Sequence, residues 1–376
     1  MKRVLTFIFL FFISFIFSQD GDKIYKIGDT FNGDKENDHH GMTIFSNYDG
    51  SLLAVRHLWG IQLYEYTDGE NWTKKGDLFS DLVEGEWIIS TAFSSDGSTL
   101  AIADSYNYLS NKNYTNGVGR IRVYKYNNDS DLWVQSGEDI IGTSNGKEGS
   151  SRVDEFIGYM SLSSDGNVMV FLRKDMTDAV SQNTVVPKSV AVYIYDGEST
   201  WNRTKDILAG SKSGHPLVSG DGTVIAVGDT PEGTYNGRVS TYKYINNSWY
   251  TLGVDIVGDD FDLIRLSSLN ETGDKLILAN NAWSPKNSWV YDASTYRYSI
   301  DINKDGVFAG AVWVYSFINN SWSISQTIKG ADTKNFFGLR TSISDDGSIL
   351  AVSAIEADNS HYGYVKMYKN GIKFRE

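Results

Sequence analysis

The run Asp301-Ile302-Asn303-Lys304-Asp305-Gly306 carries the clearest chemical signal in the chain. Alternate oxygen-bearing side chains followed by a turn-forming Gly match the start of a calcium loop, since a hard cation gathers oxygen ligands. Asp301, Asn303 and Asp305 would be those ligands. The match stops at the twelfth position, where Val312 stands in place of the bidentate Glu. The same run also reads as a plain Asn/Asp/Gly turn. Apart from calcium here, no cofactor is expected.

A second candidate is Asp38-His39-His40, close to Asp34. Adjacent side chains point to opposite sides of an extended segment, so the pair reads as exposed loop. The third candidate is collective. Asp259, Asp260 and Asp262 fall in long connections, as do Trp59, Tyr106, Tyr108, Trp283, Trp289 and Tyr296. Acids and aromatic rings converging on one concave face would suit a glycan, a cationic peptide or an ion. The other reading of these residues is a solvated loop rim. No His-Glu-x-x-His pair or phosphate-binding Gly-Lys-Ser/Thr loop occurs, and each would be needed for its chemistry.

The elements that must position these residues repeat along the chain. Asp-Gly turns lie at Asp49-Gly50, Asp96-Gly97, Asp165-Gly166, Asp221-Gly222 and Asp346-Gly347, with a degenerate copy at Glu271-Thr272-Gly273-Asp274. Asp-Gly between two apolar runs signals a hairpin, because Gly takes positive φ without steric cost. Each Asp there is read as a turn residue, not an acid catalyst. Continuous apolar runs follow, such as Leu100-Ala101-Ile102-Ala103 and Val224-Ile225-Ala226-Val227. A strand apolar on both faces is sandwiched between sheets. Period-two strands come next, such as Arg120 to Tyr126 and Val239 to Tyr244, and then outer strands opening at Trp72, Trp133, Trp201, Trp249 and Trp322. A Trp at one position of five copies is read as packing between copies.

Repeats of this length built only from strands and turns predict an all-β, six-bladed β-propeller of four-stranded antiparallel blades. The long fifth copy, Val254 to Gly330, leaves seven blades as the alternative. The phrase starts in its middle at Tyr25 and stops in its middle at Glu376. That phase predicts a ring closed by the N-terminal segment, which would remove the exposed sheet edges.

Residues 1–18 follow another logic. Met1-Lys2-Arg3 is basic, Val4 to Phe17 is apolar except for Thr6 and Ser14, and Ser18-Gln19 is polar. This is the pattern of a secretory signal peptide, too short for the ~20 residues of a spanning helix. The expected organisation is a signal peptide over 1–18 and one propeller over 19–376. The location would be extracellular, cell-surface or periplasmic, with no membrane insertion after signal removal. The absence of Cys means an exported chain stabilised by its core alone. A net charge of −13 argues against nucleic acid.

The pattern resembles the WD40-like and FG-GAP-like propeller repeats of secreted bacterial proteins. It follows the form W-x-x-x-G-x-x-I-x-G, then S-x-S-x-D-G, then G-x-V-x-V-Y. Trp133 to Gly142, Ser161 to Gly166 and Gly237 to Tyr242 carry it. The Trp-Asp dipeptide of WD40 proteins is missing, as is a complete Asp-x-Asp-x-Asp-Gly loop in each blade. Such propellers serve adhesion, glycan or peptide binding, assembly and occasionally catalysis, so the resemblance implies a fold more than an activity. The expectation is a monomeric binding or adhesion module with a glycan, peptide or protein ligand on its loop-rich face. The alternatives are a polysaccharide lyase or hydrolase using the acidic loop residues, and a structural part of a surface assembly.

Overall fold

The computed structural model describes residues 44–47, 51–57, 60–67, 71–79, 88–104, 119–130, 132–141, 156–174, 188–209, 216–229, 236–259, 264–292, 297–330, 333–355 and 363–369. They form six antiparallel sheets arranged as blades. Blade 1 is β1 (Ile44–Ser46), β2 (Leu52–His57), β3 (Gly60–Thr67) and β4 (Asn71–Phe79). Blade 2 is β5 (Ile88–Phe93), β6 (Thr99–Asp104), β7 (Arg120–Asn127), β8 (Leu132–Gln135) and β9 (Ile140–Ile141). Blade 3 is β10 (Phe156–Leu162), β11 (Val168–Lys174), β12 (Lys188–Tyr195), β13 (Trp201–Arg203) and β14 (Ile207–Ala209). Blade 4 is β15 (Pro216–Val218), β16 (Val224–Asp229), β17 (Arg238–Ile245), β18 (Ser248–Thr251) and β19 (Ile256–Val257). Blade 5 is β20 (Arg265–Leu269), β21 (Lys275–Asn280), β24 (Ala311–Ile318) and β25 (Ser321–Lys329), with a separate hairpin of β22 (Trp289–Asp292) and β23 (Arg297–Ile300). Blade 6 contributes β26 (Thr341–Ile343), β27 (Ile349–Ile355) and β28 (Gly363–Lys369).

Strand order within each blade follows the chain. The length of the fifth copy is therefore explained by the inserted β22–β23 hairpin, and the blades number six rather than seven. The N-terminal segment expected to close the ring lies outside the described residues, as does the signal-peptide stretch. No described helix is long and apolar enough to cross a membrane.

The apolar second strands are buried as their sequence predicts: all six residues of β6 and of β16 are buried. Their two faces feed different hydrophobic clusters, each shared by neighbouring blades. Ala101 and Ala103 of β6 pack with Met169 and Phe171 of blade 3, whereas Leu100 and Ile102 pack with Ala54 and Leu63 of blade 1. Removing such a side chain from water is worth about 1.5–3 kcal/mol for the larger ones.

The outer-strand Trp residues fasten the blades. Each sits opposite an aromatic residue of the third strand: Tyr66 with Trp72, Tyr126 with Trp133, Tyr195 with Trp201, Tyr244 with Trp249 and Phe317 with Trp322. Ring centroids are 4.8–5.3 Å apart in these pairs. Three of the indoles also reach the preceding blade. Trp201 Nε1 donates to Ser136 O at 2.9 Å, Trp249 Nε1 to Thr204 Oγ1 at 3.2 Å, and Trp322 Nε1 to Thr241 Oγ1 at 2.8 Å. The packing role read from their spacing is what the fold shows.

The Gly after the Trp has a geometric cause. The chain leaves β8, turns at Gly137 with φ +84°, and re-pairs with β7 as β9. A Cβ at Gly137 would lie 2.8 Å from Trp201 Cδ1. The glycine thus makes the bulge and leaves room for the next blade's indole. The Ile that follows returns to the core, as Ile140 and Ile256 do.

Candidate functional site

The first strands β5, β10, β15, β20 and β26 contribute to one shared cavity or run into turns that are hydrogen-bonded from blade to blade. Each runs into a turn with a common hydrogen-bond scheme. In the second copy Ser94 Oγ donates to Asp96 Oδ1 at 2.6 Å, Asp96 Oδ1 accepts from Ser98 N at 2.9 Å, and Thr99 N donates to Ser94 Oγ at 2.9 Å. Ser163/Asp165, Ser219/Asp221 and Ser344/Asp346 repeat it. The degenerate copy keeps the geometry with its acid moved two positions along. Asp274 Oδ1 there accepts from Thr272 Oγ1 and Asn270 Nδ2, both at 2.8 Å. The Ser344 hydroxyl and the Ser348 N–H hold the Asp346 carboxyl down at about 2. Burial pushes Asp165 up, but the Ser163 hydroxyl, the Asn167 amides and Lys125 together hold it below the usual carboxylate range. These Asp residues are turn anchors, as their repetition suggested.

The residue before each turn Asp behaves differently. Its backbone joins neighbouring blades: Asp96 N donates to Ser164 O, Ser164 N to Gly220 O, Asp221 N to Glu271 O and Glu271 N to Asp345 O, at 2.8–3.3 Å. Ser95, Ser164, Gly220, Glu271 and Asp345 therefore follow one another around the channel. The equivalent residue of the first copy, Tyr48, is outside the described residues. These positions close one end of a cavity of about 220 Å³ walled by five blades. Its wall includes Ser161, Ser267, Ser268, Thr341 and Ser342, and among the described residues it contains no Lys, Arg or His.

Two local features shape the wall. Ser164 Oγ donates to Glu271 Oε2 at 2.5 Å, so Glu271 of blade 5 reaches past blade 4 to blade 3. It can do so because Gly220 lies beneath it; a Cβ there would fall 1.6 Å from Glu271 Oε2. The register of β20 shifts between Leu266 and Ser268. Such a bulge adds one unpaired residue and re-aims a side chain. Ser267 Oγ accepts from Thr341 Oγ1 at 2.8 Å, and Ser268 Oγ donates to Thr341 O at 2.9 Å.

Of the residues singled out in the sequence, Trp59, Tyr106, Tyr108, Asp260, Asp262 and Tyr296 lie outside the described residues, as do Asp34, Asp38, His39 and His40. The rest gather in and beside blade 5, away from the cavity wall. Trp283 is half-buried against the blade 4–5 cluster, with Lys329 Nζ 4.2 Å from its ring centroid. Trp289 begins the inserted hairpin. Asp259 is exposed, 3.7 Å from the equally exposed Lys286 Nζ, a pair worth little in water. Asp301 Oδ1 accepts from Asn303 N at 3.1 Å and Asn303 Nδ2 at 3.2 Å, while Asp305 is exposed. The structure thus joins Asp301 to Asn303 in a turn. No group of three or more His, Cys, Asp or Glu suited to a metal ion occurs among the described residues.

The cavity wall escaped sequence reasoning because it lies within the repeated phrase. Its signal was present: the residue before the turn Asp is Ser, Ser, Gly, Glu and Asp in successive described copies. A position that varies inside an otherwise constant turn is free of the turn's own demands.

No protein-family model matches the chain, and no curated protein does. Solved structures share its fold at low identity. Prolyl oligopeptidase B from Galerina marginata is 10% identical with a TM-score of 0.51, covering 89% of this chain and 43% of that one. Kuenenia stuttgartiensis hydrazine synthase is 13% identical with a TM-score of 0.48, covering 89% and 81%. The periplasmic gluconolactonase of Pseudomonas aeruginosa is 16% identical with a TM-score of 0.45, covering 85% and 82%. These likenesses concern the propeller fold alone.

Proposed function

We propose that this protein is an exported β-propeller of the WD40-like or FG-GAP-like kind. It binds a glycan, peptide or protein on the face formed by connections between second and third strands and between blades. The observation that carries this reading is the insertion in blade 5. Between β21 and β24 the chain adds the β22–β23 hairpin, which pairs Trp289 with Ile300, and Trp283 stands at its base. Among the described residues it is the one paired insertion between a second and a third strand. An aromatic-bearing ribbon added to one blade serves recognition better than ring closure, which needs every blade alike. Support for export is the basic and then apolar run of residues 1–18.

The test is a glycan and peptide array probed with the mature chain, beside a variant whose residues 286–300 are replaced by a short Gly-Ser linker. A ligand retained by the parent and lost by the variant, at unchanged melting temperature, is the expected result. Undiminished binding by the variant, or turnover of a polysaccharide without any binder, would overturn the reading.

A further inference from the structure

The cavity at the opposite end of the channel has its own chemistry. Among the described residues its wall is hydroxyl-rich and carries two carboxylates, Glu271 and Asp345, but no cationic side chain. Glu271 Oε2 is engaged by Ser164. Among the described residues, Glu271 Oε1 and both Asp345 side-chain oxygens have no partner, and neither do the hydroxyls of Ser95 and Ser342. Gly220 is the one position of the turn ring without a side chain, and that gap is what lets Glu271 lie across the ring. An acid held by a hydroxyl two blades away is preorganised, since that hydrogen bond orients it before any ligand arrives.

We propose that this cavity binds a small hydroxylated amine in its ammonium form. Glu271 and Asp345 accept charge-assisted hydrogen bonds from the ammonium. Ser95, Ser342 and the Ser267–Thr341–Ser268 network serve the ligand's hydroxyls, because a Ser or Thr hydroxyl can donate and accept. The volume of about 220 Å³ is below the ~300–1,000 Å³ of drug-sized sites, which selects a single small molecule over a polymer segment. A divalent cation fits less well. Calcium gathers about six to eight oxygens, carboxylates prominent among them, and among the described residues two carboxylates are at hand.

The site is separate from the loop-rich face, so the two tests fail independently. Titration calorimetry of the full mature chain with D-glucosamine, N-acetylglucosamine, ethanolamine and calcium chloride decides it. Glucosamine should bind about tenfold or more tighter than N-acetylglucosamine, whose nitrogen carries no charge. Glu271→Gln and Asp345→Asn should each weaken glucosamine by a similar factor. Ser342→Ala, which leaves both carboxylates, should weaken glucosamine more than ethanolamine. Melting curves of the variants check that the ring is intact. Equal binding of charged and acetylated sugars, no amine binding by the folded parent, or calcium binding that both acid variants abolish would each overturn the proposal.

Discussion

Ser164 and Glu271 are 107 residues apart in the chain and share one short hydrogen bond across the width of a blade. Glu271 is the odd member of a degenerate turn, and Gly220 is the turn residue it passes over. The three residues belong to blades 3, 5 and 4, so their contact exists only once the ring has formed.

This contact predicts that Gly220→Ala is costly for a surface turn. The added methyl must displace the Glu271 carboxylate, an overpacking of about 1–3 kcal/mol. In a Glu271→Ala background the same change should cost less, since the Ser164 hydroxyl, 2.3 Å from that Cβ, still has to turn aside. A double-mutant cycle by urea denaturation reads the coupling; additive losses would show that Glu271 does not rest on Gly220.

A second prediction concerns a buried charge. Asp104 at the end of β6 is inaccessible, and its Oδ2 accepts from Arg122 Nη2 at 3.0 Å and Arg120 Nη2 at 3.1 Å. Arg122 is itself only 4% exposed. Asp104→Ala takes this carboxylate from the buried Arg122, while Arg120 keeps Asp139 at 3.5 Å, and breaking such a buried pair costs about 3–5 kcal/mol. A loss below about 1 kcal/mol in chemical denaturation would contradict this.

The indoles give a third. Trp201→Phe keeps most of the packing against Gly137 but removes the donor to Ser136 O. A buried carbonyl left without its donor costs about 1–3 kcal/mol. The same change at Trp249, whose partner is the Thr204 hydroxyl, should cost less, since that hydroxyl also reaches Val192 O. Melting temperatures of the two variants rank them; the reverse order would refute the assignment.

Acid should loosen the turns. Asp346 is held at about 2 by the Ser344 hydroxyl and the Ser348 N–H, and Asp165 and Asp196 are also held below the usual range. An unfolded Asp titrates near ~3.9. A carboxylate depressed in the folded state stabilises it fully above the unfolded value, and that stabilisation is lost as pH falls toward the folded value. From this source, stability should be level above about pH 5 and decline between about pH 4 and 2. Asp346→Asn should flatten part of that decline in melting temperature measured against pH, and an unchanged slope would count against the turn-anchor role.

The architecture was legible in the chain because it is written in local terms. Asp-Gly turns, doubly apolar second strands and Trp-initiated outer strands each follow from short-range rules, and repetition multiplied a weak signal into a six-bladed count. The Trp packing and the turn role of the Asp residues followed for the same reason. Blade count needed the structure only to show that the surplus length of the fifth copy is a hairpin insertion. The channel cavity was another matter. Its wall takes residues from five copies, and Ser95, Ser164, Gly220, Glu271 and Asp345 become neighbours only when the packing of successive blades brings the first strands together. A one-dimensional reading compares such positions as equivalents and discounts them. Tertiary structure alone sets them side by side, where their differences in size and charge make a site.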